Sequence, residues 1–428
     1  MMTHEENEIL TRVGPGTPMG ALLRRYWQPA VLSEELPPAG PPKRVRLLGE
    51  DLVLFRDDEG RVGLLGIHCS HRGTDLSYGR VEDGGLRCVY HGWLYDIRGR
   101  CLEQPGEPDG GRSRDSVRHL AYPCKEVGGI IFTYMGPGEP PLIPEYEALT
   151  VPDDQRAIRR YFQECNYLQA NEGNIDPVHL SFLHRQFQQG TGDDRRQGVG
   201  IRGTEASPYV LYTKDVQPTI DVQVTDFGVR IFSVRSIGED KNYLRVSNFV
   251  LPNLSAIPGE TGGYGYTINW HVPIDDTHHW KYMITFRRGA PIDKELFRRR
   301  YEEETTPDFR LTRNKSNSYL QDRDEMKSRS FSGMGSLFAA HDTFATESQG
   351  PIQNRTQEHL VSSDKAIVAA RKLLLKAIED VQKGREAPHV IRDPKSNRFP
   401  HLLVISEVIQ GSMNARDYVH GMIKDLGV

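Results

Sequence analysis

One pair of short motifs limits what this chain can fold around: Cys69-Ser70-His71 and, sixteen residues after it, Cys88-Val89-Tyr90-His91. Each motif puts a thiolate and an imidazole side by side in sequence, which suits a tight loop. Two such loops face to face make a pocket of two Cys and two His. Soft thiolates favour zinc or iron–sulfur centres, and imidazole suits both. The pocket can thus be a [2Fe–2S] centre with two His on one iron, or a structural zinc site. The local context favours the cluster. Zinc modules usually pair Cys with Cys and His with His, whereas both motifs here are mixed. Each is also followed by glycine, in His71-Arg72-Gly73 and His91-Gly92-Trp93, and glycine lets the backbone come close to a bulky group.

The rest of the chain must account for its length. At 428 residues it has room for about two or three domains. Its 37% hydrophobic and 26% charged residues read as soluble and globular. A net charge of −4 gives no basic footprint for nucleic acid. There is no apolar run long enough for a membrane span. The polar, acidic start from Met1 to Glu8 is unlike a signal peptide. Cys101, Cys124 and Cys165 are odd in number and scattered, so no disulfide framework is implied. They read as buried small hydrophobes, and a cytoplasmic, reducing location fits.

Taken in order, residues 1–40 read as an N-terminal arm with one or two short helical turns between Glu8 and Trp27. Residues 41–157 read as an all-β domain. Its signals are the short apolar strands Val45–Leu48 and Leu52–Phe55, the hairpin Asp57-Asp58-Glu59-Gly60 and the segment Gly128–Gly136. Residues 158–428 read as a second, α+β domain, an antiparallel sheet flanked by helices. Tyr161 to His184 is helical in pattern, and 185–200 reads as a mobile polar loop. Strands are expected at Val210–Tyr212, Asp221–Val224, Val229–Val234 and Leu244–Val250, with a hairpin from Tyr266 to Phe286. Charged residues 287–335 read as helix with a mobile stretch near Arg313 to Arg329. A helix capped by Ser363 should run to Gly384.

A second constellation lies in Asp176-Pro177-Val178-His179, with His184 five residues on. On a straight helix five residues turn a side chain by about 140°, so the two imidazoles would diverge. Pro177 can bend the segment and aim both rings at one ion. Two His and one carboxylate with open positions form the facial triad of non-haem Fe(II) oxygenases. Asp176, three residues before His179, suits a carboxylate that accepts the ligand's other ring N–H. The third ligand must come from elsewhere. Asp342 is the candidate, because the apolar residues before it should carry its carboxylate inside, where a charge needs a partner. Asp322, Asp324 and Glu358 are rivals, and His341 is either a ligand or a hydrogen-bonded neighbour.

With these motifs together, the chain resembles the oxygenase (α) component of Rieske non-haem iron aromatic ring-hydroxylating oxygenases, of the phthalate 4,5-dioxygenase type. The resemblance also takes in Asp342-x-x-x-x-Glu347 and the tail Gly350-Pro351-Ile352-Gln353-Asn354-Arg355-Thr356-Gln357-Glu358-His359-Leu360. It implies a Rieske [2Fe–2S] cluster on Cys69, His71, Cys88 and His91, and mononuclear Fe(II) on His179, His184 and Asp342. It implies electrons from an NAD(P)H-dependent reductase, with or without a ferredoxin. It also implies a head-to-tail homotrimer in which Asp176 bridges His91 of one subunit to His179 of the next.

The expected activity is hydroxylation of an aromatic ring with dioxygen, as a dihydroxylation or monohydroxylation, on an aromatic carboxylate such as a benzoate or phthalate. An arginine fork would hold that carboxylate, and Arg202, Arg235 and Arg245 are the candidates. O-demethylation of a methoxylated aromatic acid uses the same metals and is the alternative. A pure Rieske electron carrier is the alternative of another class, and it has no need of Asp176, His179 and His184.

Overall fold

A computed structural model describes residues 2–427 except 39, 109, 110, 188–200, 205, 207, 260, 262 and 263. Most of the 185–200 loop therefore lies outside the described residues.

The chain begins with two short helices, His4–Thr11 and Pro18–Leu23, capped by Thr3 and Thr17. The next segment is part of a sheet rather than an arm. Trp27–Leu32 is a strand, hydrogen-bonded to Ile130–Tyr134, which also pairs with Cys124–Val127. All six residues of Trp27–Leu32 are buried. A strand buried on both faces shows no alternation, so it does not stand out in the sequence.

Two small antiparallel sheets carry the Cys/His loops. One holds Lys43–Leu47, Glu50–Arg56, Val62–Gly66 and Ala121–Tyr122; the other holds Arg80–Glu82, Gly85–Arg87, Leu94–Tyr95 and Cys101–Glu103. Val53, Phe55, Leu65, Leu76, Leu86 and Tyr95 form the apolar core shared between them.

The larger sheet is antiparallel and eight-stranded. Its path runs Arg156–Gln163, His279–Phe286, Thr267–Pro273, Leu254–Ile257, Lys241–Val250, Gly228–Gly238, Thr219–Val224, with Ile405–Gln410 paired to Lys241–Val250. The fold is thus α+β, an all-β part and then an antiparallel sheet with helices. Three local readings change. Tyr161–Gln163 belongs to a strand, and the helix after it covers only Tyr167–Ile175. Val210–Tyr212 lies in the helix Pro208–Lys214, where Leu211 and Tyr212 are buried. The helix Lys365–Gln382 has Asp364, not Ser363, at its N-cap.

The two faces of this sheet differ, and the difference places the functional site. Side chains alternate along a strand. Ile268, Trp270 and Val272, with Tyr282, Ile284 and Phe286, belong to the main apolar core. On that side Trp270 meets Phe132 and Tyr146, at ring-centroid distances of 5.3 and 6.3 Å, and Tyr282 donates to the Ala30 carbonyl. The residues between them are Thr267, Asn269 and His271, and Lys281 and Met283. These meet the helices Tyr167–Ile175 and Phe338–Glu347 instead. A buried polar sheet face under two helices is where the second constellation lies.

Candidate metal centres and the cavity beside them

The two Cys/His loops are built alike. The Cys69 N–H donates to the Thr74 carbonyl and the Gly73 N–H closes back onto the Cys69 carbonyl (2.8 Å). Likewise the Cys88 N–H donates to the Trp93 carbonyl and the Gly92 N–H closes onto Cys88 (2.9 Å). Both closing residues have left-handed backbone, φ +77° at Gly73 and +74° at Gly92, so glycine is required there. The loops bring the His71 and His91 rings to 4.4 Å between centroids, and Trp93 stacks on His71. Cys69 and Cys88 are buried, and the Tyr95 hydroxyl lies 3.2 Å from the Cys69 sulfur.

This pocket fits an iron–sulfur centre chemically. His71 Nδ1 is buried without a hydrogen-bond partner, as an iron ligand would be. Burial and the neighbouring Cys69 push the Cys88 thiol up, while the backbone N–H groups of Tyr90 and His91 face its sulfur. A bound metal reverses such an upward shift, because a coordinating thiol is deprotonated.

The second constellation is assembled by the break after the helix Tyr167–Ile175. Pro177 disfavours helical backbone at the residue before it, and Asp176 is extended, at φ −80° and ψ 122°. Its carboxylate caps the next turn, accepting from the N–H groups of Val178 (2.7 Å) and His179 (3.3 Å). A short 3₁₀ turn, His179–Ser181, comes next. The bend sets the His179 and His184 rings 5.1 Å apart at 70°. Asp342 comes in from the helix Phe338–Glu347. Donor atoms of His179, His184 and Asp342 all lie within 4.8 Å of one another. His184 Nε2 is 2.9 Å and His179 Nε2 3.8 Å from Asp342 Oδ1.

The tautomer of His184 is set by its neighbours. His341 Nε2 faces the Gly335 carbonyl at 3.0 Å, so that nitrogen carries the proton. His341 Nδ1, 3.1 Å from His184 Nδ1, is then the acceptor, and His184 Nδ1 is the donor. Burial lowers the pKa of both rings, so both are neutral. His184 Nε2 is left as a bare lone pair aimed at a carboxylate. Burial raises the pKa of Asp342, and the nearby Lys281 is among the groups that pull it back down, to a net shift below its ordinary value. Two acceptors face each other at hydrogen-bond distance in a buried site, and a cation resolves the conflict. His341 is therefore a hydrogen-bonded neighbour. Phe338 stacks flat on His184, 3.4 Å between centroids.

Asp176 lies 3.5 Å from His179 Nδ1, and its side chain keeps 26% exposure. The rival carboxylates are occupied elsewhere. Glu358 pairs with Arg371, Asp322 caps the turn at Asp324 and Glu325, and Asp324 pairs with Lys327 on the surface.

The three candidate arginines lie in different surroundings. Arg202 is a surface residue, its side chain 69% exposed and 3.7 Å from Glu407. Arg235 is fully buried, but it donates to the carbonyls of Pro177 (2.7 Å) and Asp215 (3.2 Å) and to the hydroxyls of Ser181 and Ser233. It pins the bend that presents His179, with four of its five N–H donors committed there. Arg245 is buried with Nε unpartnered, and among the described residues it is not in the lining of the two cavities that Asp342 and Lys281 share. Lys281 lines both and Asn269 one of them, and the sequence motifs point to neither. Their signal is the alternation of polar residues with Ile268, Trp270, Tyr282 and Ile284 in strands buried on both faces.

The chain is similar to known proteins over most of its length. Residues 26–121 match the Rieske [2Fe-2S] domain family, and residues 133–422 match the family described as LigXa C-terminal domain like. The phthalate 4,5-dioxygenase oxygenase subunit of Pseudomonas putida is 36% identical over 404 residues, 90% of this chain and 88% of that one. The 5,5'-dehydrodivanillate O-demethylase oxygenase subunit of Sphingobium sp. is 34% identical over 427 residues, 98% of this chain and 91% of that one. Among solved structures, the oxygenase in a ferredoxin complex of carbazole 1,9a-dioxygenase shares the fold. Its TM-score is 0.58 at 20% identity, covering 87% of this chain and 95% of that one.

Proposed function

The chain belongs to the Rieske non-haem iron oxygenases, as a terminal oxygenase component with a [2Fe–2S] cluster and a mononuclear iron, and on that premise we propose that it oxidises an aromatic carboxylate at an iron held by His179, His184 and Asp342. The observation that carries the site assignment is the convergence of His179, His184 and Asp342, whose donor atoms lie within 4.8 Å of one another. Cys69, His71, Cys88 and His91 hold the cluster in this reading. When bound, the cluster delivers electrons singly and the mononuclear iron activates dioxygen.

The protein's own residues orient and seal. Arg235 holds the Pro177 carbonyl, so the two His side chains stay on one side of the bend. His341 holds the His184 ring in one tautomer. Phe338 covers that ring and keeps water from it. Asp176 orients His179 from its outer edge. Its exposed side leaves it reachable by His91 of a second copy in a head-to-tail trimer. An NAD(P)H-dependent reductase, with or without a ferredoxin, is the expected electron source, and the cytoplasm the expected compartment.

The aromatic-carboxylate class draws support from the phthalate-oxidising relative. A second reading, O-demethylation of a methoxylated aromatic acid, draws support from the O-demethylase relative that spans 98% of this chain. Turnover of the reduced, iron-loaded protein with labelled dioxygen and pooled benzoates, phthalates and methoxybenzoates separates them. Both labelled atoms on one ring mean dihydroxylation. A new phenol with labelled formaldehyde means demethylation. Turnover confined to non-aromatic compounds would refute both.

A further inference from the structure

We propose that Lys281 is the residue that anchors the substrate's carboxylate, an assignment that rests on the aromatic-carboxylate reading above. Lys281 stands on the strand His279–Phe286, opposite His271 of the neighbouring strand. It is 5% exposed. Among the described residues its ammonium has neither a hydrogen-bond partner nor a carboxylate within ion-pair distance. A cation that is nearly buried, opens only onto a cavity and has no anion paired with it is suited to a ligand that supplies one.

Its position fits that use. Among the described residues, Lys281 and Asp342 together line two cavities that flank the metal constellation. One also reaches Asp176 and His179; the other is walled by Tyr209, Ile257, Met283 and Phe338. The second cavity, about 70 Å³, thus sets apolar and aromatic walls beside Lys281 and Asp342, with Arg159 and Glu304 also in its lining. Asn269, 1% exposed, leaves its side-chain oxygen without a partner, and it lines the same cavity. These are the features of a small-molecule site: apolar walls with a few convergent polar groups.

The charge balance points the same way. Asp342 interacts with Lys281 through space but makes no ion pair with it. Once Asp342 is committed to a divalent metal, Lys281 leaves the site with excess positive charge, which favours an anion over its neutral analogue. The other cations nearby are less suited. Arg235 has four of its five N–H groups on carbonyls and hydroxyls, Arg202 is on the surface, and Arg245, buried near His179, lines neither of these cavities. Arg159, which also lines the cavity, lies over the Phe297 ring at 4.5 Å.

The test compares each of benzoate, phthalate and 3-methoxybenzoate with its carboxamide. Binding by calorimetry and kcat/KM are measured on wild type, Lys281→Met, Lys281→Gln and Lys281→Arg with native metal content. The cluster's visible spectrum and the melting temperature report folding. Wild type should favour the acids. In Lys281→Met or Lys281→Gln, affinity for the acid should fall about ten- to a hundredfold, the loss of one charge-assisted hydrogen bond. The amide should move less than about threefold, well inside one tenfold step. Lys281→Arg should keep most of the preference for the acid. Folded Met and Gln variants with an undiminished acid preference would overturn the anchor and leave the aromatic-carboxylate reading standing. A wild type that binds no acid, or binds the amides at least as well, would overturn the reading and the anchor with it.

Discussion

The hydrogen-bond chain from Gly335 through His341 to His184 makes a quantitative prediction. His341→Phe keeps a ring of similar size in place and removes the acceptor for His184 Nδ1–H. That N–H is fully buried, so bulk water does not replace the lost partner. Leaving a buried donor unsatisfied costs about 1–3 kcal/mol. That cost falls on the state in which the ring is fixed with Nε2 toward Asp342, which is the state that binds metal. The alternative tautomer turns Nδ1 into the lone pair and puts a proton on Nε2, which disables the ligand. The expected loss is therefore about ten- to a hundredfold in Fe(II) affinity, in line with the usual effect of removing a partner of a metal-bound imidazole. Competition against a chelator measures the mononuclear iron, and the cluster's visible spectrum serves as the control for folding. His341→Asn, which retains an acceptor, should recover part of the loss. If His341→Phe binds Fe(II) as tightly as wild type, the tautomer argument is wrong and His184 is held by its packing against Phe338 alone.

Two further predictions concern the frame around that site. Glu172 is buried between Arg355 and Arg371, at 2.9 and 2.5 Å, on the helix that leads into Asp176. Glu172→Gln leaves Arg355 without a carboxylate, while Arg371 keeps Glu358, and should cost about 3 kcal/mol of stability, read from the denaturant midpoint at pH 7. The sign also gives a pH dependence. Burial raises the Glu172 pKa, but the two arginines outweigh it and the net shift is downward. Its stabilisation should be present above the ordinary carboxylate range and lost as pH falls through the lowered folded value, a loss the variant should not show. Asp176→Asn should retain both metal centres but sharply slow electron arrival at the mononuclear iron, measured in single-turnover kinetics; near-normal rates would remove its proposed bridging role.

How far the sequence reveals this molecule depends on the range of the interaction concerned. The Cys69/His71 and Cys88/His91 loops are legible because each is closed within five residues, by glycines the left-handed turn demands. The break at Asp176-Pro177 is legible for the same reason, although its effect is larger than a bend. Pro177 does not kink a helix through His184; it stands just past the helix end at Ile175. Asp342 can be inferred because apolar residues precede it. The illegible parts depend on pairing across long separations. Trp27–Leu32 is a strand only because Ile130–Tyr134 lies beside it. Pro208–Lys214 has a strand-like composition, yet it is helical, with its buried residues packed against Leu180 and Tyr243. The roles of the cations are legible least of all. Arg235 and Lys281 both sit on buried strands. Only the structure separates one surrounded by carbonyls from one facing a cavity.

The central claim is that one chain holds two independent iron centres, one on the Cys69/His71/Cys88/His91 loops and one on His179, His184 and Asp342. Iron and acid-labile sulfide counted on wild type and His179→Ala, alongside the electron paramagnetic resonance of the reduced cluster, test it directly. Wild type should carry about one more iron than sulfide per chain, as expected for a [2Fe–2S] cluster with an additional mononuclear iron. His179→Ala should lose that excess iron and all turnover while the cluster signal stays unchanged. Loss of the cluster signal together with the excess iron would contradict the claim of separate sites, and iron retained in full by the variant would place the second centre on other residues.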